Sequence, residues 1–167
     1  LAFEMLEEIE GSDKLDIVKG LTWENLQLYF NTLKQPLDNK LVRKALAYSV
    51  PYEDIIEGAL FGYGRKARGL VPYSLWGRSE NVRRYPFNLE VARELLAEAG
   101  YEDGDLSLTL TYASGDQREK RTSELWKEQL SELGIELKIR AMSWDAQLGK
   151  AHDPDPQQRQ DIFLMYS

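Results

Sequence analysis

From residue 106 the chain alternates. Leu106, Leu108, Leu110 and Tyr112 are separated by Ser107, Thr109 and Thr111, a period of two that predicts a strand over 106–112 with one buried face. Ser114 and Gln117 then stand at capping-box spacing ahead of Leu125, Trp126, Leu130 and Leu133, which share a helical face ended by Gly134. Ile135, Leu137, Ile139 and Ala141 resume the alternation against Glu136, Lys138 and Arg140. Strand, helix and strand with short links predict a right-handed crossover between two parallel strands.

The N-terminal half is less regular. Leu1, Met5, Leu6 and Ile9 predict a short helix over 1–9 that stops at Gly11. Residues 15–18 and 26–30 read as an antiparallel pair around Gly20, the second strand alternating Leu26, Leu28 and Phe30 with Gln27 and Tyr29. Asp38 is the expected cap of a helix that buries Leu41, Val42, Ala45, Leu46 and Tyr48 and leaves Arg43 and Lys44 outward. Pro51 interrupts that pattern before a second helix over 53–61 carrying Ile55, Ile56, Ala59 and Leu60. Asn88 caps a third helix, with Leu89, Ala92, Leu95, Leu96 and Ala99 inward and Gly100 at its left-handed end.

Two stretches stand outside this regular pattern. Residues 62–87 form a long loop rich in Gly, Pro and aromatic residues, the kind that commonly carries function. After Trp144 a short helix to about residue 150 leads through "AHDPDPQQRQ" to the apolar run 162–166, which suits a strand buried on both faces. The sum is a single α+β domain over 1–167, a mixed β-sheet with flanking helices and a βαβ crossover. A chain that opens on Leu1 and ends one residue past an apolar run reads as an excised piece of a longer protein.

Composition narrows the chemistry. A net charge of -7 argues against a nucleic-acid partner, because phosphate-backbone binders carry a basic surface. No apolar run reaches the length of a membrane-spanning helix, and zero cysteines exclude disulfides and thiolate metal sites without identifying the compartment. "GYG" at 62–64 lacks the spacing of a phosphate-cradling loop. His152, the only histidine, lies in the proline-rich loop and with Asp153 and Asp155 reads as a solvated tip, so no catalytic residue, metal site or cofactor is assigned. The 28 Asp and Glu residues are too many for any pair to stand out as an acid and base. Arg65, Lys66, Arg68, Arg78, Arg83 and Arg84 read as a solvated basic surface, and Tyr73 and Trp76 as lids over the core. Trp144, just past a strand end, is the more informative aromatic residue because ligand sites form at strand ends of such sheets.

"LYFNTLKQPLDNKLVRKALAYSVPYEDIIEGALFGYG", "NLEVARELLAEAGY" and "LSLTLTYASGDQREKRTSELWKEQLSELGIELKIRAMSW" together resemble the bacterial extracellular solute-binding proteins of family five. This is the oligopeptide, dipeptide and nickel-binding class that serves ABC transporters. The matches follow the family's order over nearly the whole chain; Pro51 departs from it, where the family usually has Asp. The resemblance implies most of the second lobe of a periplasmic-binding-protein-like fold of type II, closing on a peptide or other small solute with a first lobe outside these residues. It implies a periplasmic or extracellular location and a membrane permease as partner, with attachment through the transporter or a lipid anchor. Trp144 would line the ligand cleft, and Leu164, Met165 and Tyr166 would lead to the strand end that frames it, with backbone groups of that strand pairing with a peptide.

The solute itself stays open, since nickel, haem, glutathione and oligosaccharide binders share the scaffold. Residue chemistry leaves two alternatives: a free-standing α+β interaction domain that buries its C-terminal strand against another chain, and a carboxylate-dependent hydrolase.

Overall fold

The computed structural model describes residues 5–79 and 81–167. Four strands make one sheet: β1 (Leu26–Phe30), β2 (Ser107–Ala113), β3 (Glu136–Met142) and β4 (Ile162–Tyr166), in the order β1-β4-β2-β3. β2 runs parallel to both β3 and β4, whereas β1 is antiparallel to β4. Six helices accompany them among the described residues: α1 (Leu6–Glu10), α2 (Lys40–Tyr48), α3 (Tyr52–Leu60), α4 (Leu89–Glu98), α5 (Gln117–Ser131) and α6 (Trp144–Ala151). A 3-10 turn, Pro156–Gln158, precedes β4.

The crossover forms as its periodicity predicts. β2 and β3 pair in register from Ser107↔Glu136 to Ala113↔Met142, with α5 between them in sequence. Leu108, Leu110, Leu137, Ile162 and Leu164 project from one sheet face into a core shared with Val42, Ala45, Leu46, Ile55, Ala92, Leu96, Trp126 and Leu130 of α2 to α5. Trp126 sits at its centre, and its indole N–H donates to Ser49 Oγ at 2.9 Å, whose hydroxyl donates in turn to the Leu46 carbonyl. The ring is thus buried without stranding its one polar group.

The first strand pairs differently from the expectation. Residues 15–18 form no strand, and Leu15 and Val18 are exposed. β1 pairs instead with β4, from Leu26↔Tyr166 to Phe30↔Ile162, because the closing apolar run supplies a partner with a buried face where residues 15–18 do not. The chain does turn at Asn31: its amide donates to the Asp161 carbonyl and its side chain to the Pro156 carbonyl at 2.8 Å.

Two caps fall one or two residues later than expected. Asn39, not Asp38, caps α2 by accepting the Leu41 amide, and Asp116, not Ser114, caps α5 by accepting from both Arg118 and Glu119. Asn88 caps α4 and Gly100 is left-handed, as predicted; α3 begins behind Pro51 without a side-chain cap. At the N-terminus Leu6 is buried and Met5 is exposed, and Leu1, assigned to the same helical stripe, lies outside the described residues. On the edge strand β3 the alternation fades outward, with Ile139 half-buried and Ala141 exposed.

The long loop also departs from its reading as a lid. Trp76 is 95% exposed, and Tyr73 is exposed with Arg65 and Arg78 stacked on its ring at 3.9 and 4.4 Å. Lys66 stacks on Tyr52 at 3.6 Å and donates to the Tyr85 carbonyl, so part of the basic group has local partners within the fold.

Asp161 ties three segments together just before β4. Its carboxylate accepts the Thr109 amide of β2 at 2.7 Å and meets Lys34 Nζ at 2.9 Å. Removing one partner of such a pair leaves the others desolvated and unmatched. Asp161→Ala is therefore expected to lower the unfolding free energy by about 3 kcal/mol, read from the midpoint of urea unfolding; a loss below about 0.5 kcal/mol would contradict the role given to this carboxylate.

Candidate functional site

β2 and β4 are paired only at Leu110↔Ile162 and Thr111↔Phe163. The direction of the groups beyond follows from the antiparallel β1–β4 ladder. Asn25 and Ser167 exchange backbone bonds of 2.8 and 3.0 Å, and at the far end the Asn31 amide donates to the Asp161 carbonyl. Hydrogen-bonded pairs recur at every second position, so Leu164 turns its amide and carbonyl away from β1 and toward β2. On β2, the Ala113 amide donates to Glu119 Oε2 of α5 at 2.7 Å. On β4, the Leu164 carbonyl accepts from Gln147 Nε2 of α6 at 3.5 Å. Side chains from two helices thus take backbone groups that a longer ladder would use, and the sheet opens at the C-terminal ends of its parallel strands. Sheets of this type build ligand crevices at that end.

The two faces of the opening differ. On the face away from the core, Phe163 lies between Trp144 and Tyr29, with ring centroids 6.1 and 6.4 Å away. Trp144 occupies the first turn of α6 behind the Ser143 cap and is 45% exposed, so one part of its indole packs and the rest faces solvent. On the core face, the Arg118 guanidinium lies 4.5 Å from the centre of the Tyr166 ring and pairs with Asp116 at 3.1 Å. The Tyr166 hydroxyl is buried without a hydrogen-bond partner among the described residues, and burial pushes its pKa up. Glu119 is only 3% exposed. Its carboxyl is raised above the usual carboxylate range by burial and secondarily by Asp116, against the opposing pull of the Ala113 amide and Arg118.

The four residues singled out in the sequence do not play equal parts. Trp144 and Met165 lie on the outer face, Met165 half-buried. Tyr166 is half-buried under Arg118, while Leu164 is 1% exposed with its side chain in the core. β4 lies inside the sheet between β1 and β2 but pairs with β2 only at Ile162 and Phe163, so the expected pairing of a peptide along the strand would be confined to its opened end. Sequence reasoning passed over Tyr29, Phe163, Arg118, Glu119 and Gln147. For Glu119 a signal existed: with Thr122, Ser123, Trp126 and Leu130 it continues the buried stripe of α5 by one further turn. His152 is exposed at the end of α6, and Asp153 and Asp155 accept backbone amides in consecutive turns. Among the described residues no group of three or more His, Cys, Asp or Glu could hold a metal ion, and no helix is long and apolar enough to cross a membrane.

The Glu119 shift has a definite sign. A carboxyl whose folded pKa lies above its unfolded value stabilises the fold fully below about pH 4, and that contribution is lost as pH rises through the folded pKa. Glu119→Gln keeps an oxygen for the Ala113 amide and cannot ionise. Between about pH 4 and pH 7 the stability difference is expected to move steadily in favour of the Gln variant, measured by urea titrations at each pH. A difference independent of pH would remove the assignment.

Comparison with known proteins gives a consistent picture. Residues 2–165 match the family model described as bacterial extracellular solute-binding proteins, family 5 Middle. The dipeptide-binding protein of Escherichia coli is 33% identical over 133 residues, covering 78% of this chain and 25% of that protein. Heme-binding protein A of Haemophilus influenzae is 34% identical over 142 residues, covering 83% of this chain and 26% of its own. The chain therefore spans about a quarter of the length of the curated relatives it matches. The fold is that of the oligopeptide-binding protein AppA from Bacillus subtilis, solved with a nonapeptide: TM-score 0.87 and 24% identity over 98% of this chain and 35% of that one. A mixed sheet opened at its parallel strand ends, the AppA fold and a family match from residue 2 to residue 165 lead to one assignment: the chain belongs to the bacterial extracellular solute-binding proteins of family 5.

Proposed function

We propose that these 167 residues form most of the second lobe of a two-lobed solute-binding protein, which captures peptides or similarly small solutes outside the cytoplasm and hands them to the membrane permease of an ABC importer. The observation that carries this reading is the open end of the sheet between β2 and β4, flanked by a half-exposed tryptophan in a chain of this family. Relatives named for dipeptide and oligopeptide binding support the choice of peptide.

Trp144 supplies an apolar wall for solute side chains, and Met165 extends it along the outer face of β4. Tyr166, with Arg118 over its ring, frames the strand end from the other side. Leu164 acts from beneath, its side chain anchoring β4 in the core. The first lobe closes on the opposite side, so that the solute is buried between two surfaces. Glu119 and Asp116, two of the carboxylates at this end, each hold backbone amides, which favours a binding site over the hydrolase alternative.

Native mass spectrometry of the full two-lobed polypeptide as purified tests the reading: a stoichiometric peptide is the expected result, and an empty or metal-loaded protein opposes it. In the same protein Trp144→Ala is expected to weaken peptide binding about tenfold while lowering stability by about 2 kcal/mol, since a little more than half of the residue is buried. Isothermal titration alongside thermal unfolding separates the two effects; unchanged affinity would remove Trp144 from the site.

A further inference from the structure

α6 is held to the sheet in an unusual manner. A helix that packs on a sheet normally buries an apolar stripe, yet the fully buried residue of α6 is Gln147, 0% exposed. Its side chain donates to the Leu164 carbonyl of β4, and its own backbone carbonyl accepts from Gln160 Nε2 at 3.2 Å, from the segment entering β4. The surroundings are polar as well. Thr111 Oγ1, Gln147 Oε1 and Gln160 Oε1 are buried without hydrogen-bond partners among the described residues. Thr111 pairs with Phe163 across the parallel ladder and so projects on the same sheet face, toward α6. Groups of this kind are bridged by ordered water in protein interiors. The seam is therefore fixed by a few directional bonds beside the Trp144–Phe163 ring contact.

Gln147 is also one helical turn from Trp144, on the same side of α6. The bond from Gln147 to β4 and the contact of Trp144 with Phe163 of β4 are thus two points at which this face of α6 meets that strand. On the facing strand the Leu164 carbonyl has no substitute donor, because the Ala113 amide is already held by Glu119.

We propose that Gln147 is a positioning residue of the solute site: its amide, bonded to the Leu164 carbonyl, sets the height of α6 over the opened β2–β4 seam and thereby the position of the Trp144 indole. This rests on the solute-binding reading for its consequence, but the positioning itself is independent of any solute. Replacing the amide by an isosteric apolar group frees α6 to shift while leaving the seam filled.

Two measurements on the full two-lobed protein test it. The first reads the indole directly, without solute: 19F NMR of protein labelled with 5-fluorotryptophan, the Trp144 resonance being assigned through Trp144→Phe. Gln147→Met is expected to shift or broaden that resonance and leave that of Trp126 in place. An unmoved Trp144 resonance overturns the proposal whatever the protein binds.

The second is a double-mutant cycle on affinity for a dileucine peptide. Gln147→Met is expected to weaken binding about tenfold when Trp144 is present and not at all in the Trp144→Ala background. Equal losses in both backgrounds show an effect that bypasses the indole and overturn the proposal. Ile55→Val, far away on α3, serves as a control for mild destabilisation and should leave affinity unchanged. If Gln147→Met does not fold, Gln147→Asn, whose amide is one methylene too short for the Leu164 carbonyl, enters both experiments with the same expectations. If the parent protein binds no dileucine, the NMR result decides the positioning and the failure falls on the choice of solute.

Discussion

Asp161 joins parts of the chain that are far apart in sequence. One carboxylate oxygen accepts the Thr109 amide of β2, the other meets Lys34 beyond β1, and the residue's own carbonyl accepts the Asn31 amide. β4 needs such an anchor because it lies inside the sheet yet pairs with β2 at only two positions. A one-residue slip of β4 would exchange its two faces. Ile162 and Leu164 would leave the core, Phe163 would enter it, and the ring that Trp144 packs against would be gone. The register of one short strand therefore determines both the core and the candidate site, and Asp161 fixes that register at the strand's entrance.

At the strand's other end the problem is reversed. Parallel strands that part must find other partners for their amides and carbonyls, since a buried unpaired backbone group costs as much as a lost hydrogen bond. Glu119 from the core side and Gln147 from the outer side meet this need for β2 and β4 respectively. Placing a carboxylate there has a consequence for its ionisation, because the same burial that makes it a good acceptor opposes its charge. The opening is thus a supported feature of the sheet and not a frayed edge.

How much of this the sequence announced depends on how local the controlling interaction is. The β2–α5–β3 crossover was legible because its alternation and helical period are carried within one continuous stretch, and the family resemblance followed the same residues. The partner of β1 was not, since residues 15–18 look locally as strand-like as residues 162–166 and only burial across the whole fold separates them. Trp144 was legible from its place just beyond an alternating strand. Which side chains of 162–166 face outward was not, because five apolar residues in a row conceal the period of two until the strand has neighbours. Gln147 was hidden by its type, since an amide in a short helix that also carries Asp145 and Lys150 looks solvated, whereas Glu119 could be found only by extending the buried stripe of α5 back by one turn.

The outer strand β3 carries Glu136, Lys138 and Arg140 on one side of its exposed rim, with Glu136 and Lys138 3.0 Å apart. Such a rim is otherwise an invitation to another chain, because its outward amides and carbonyls can template a further strand. Ionic side chains spaced along it make docking of a second molecule costly in desolvation, which keeps neighbouring copies from zipping together edge to edge. This guard against edge-to-edge growth occupies the side of the sheet farthest from β1.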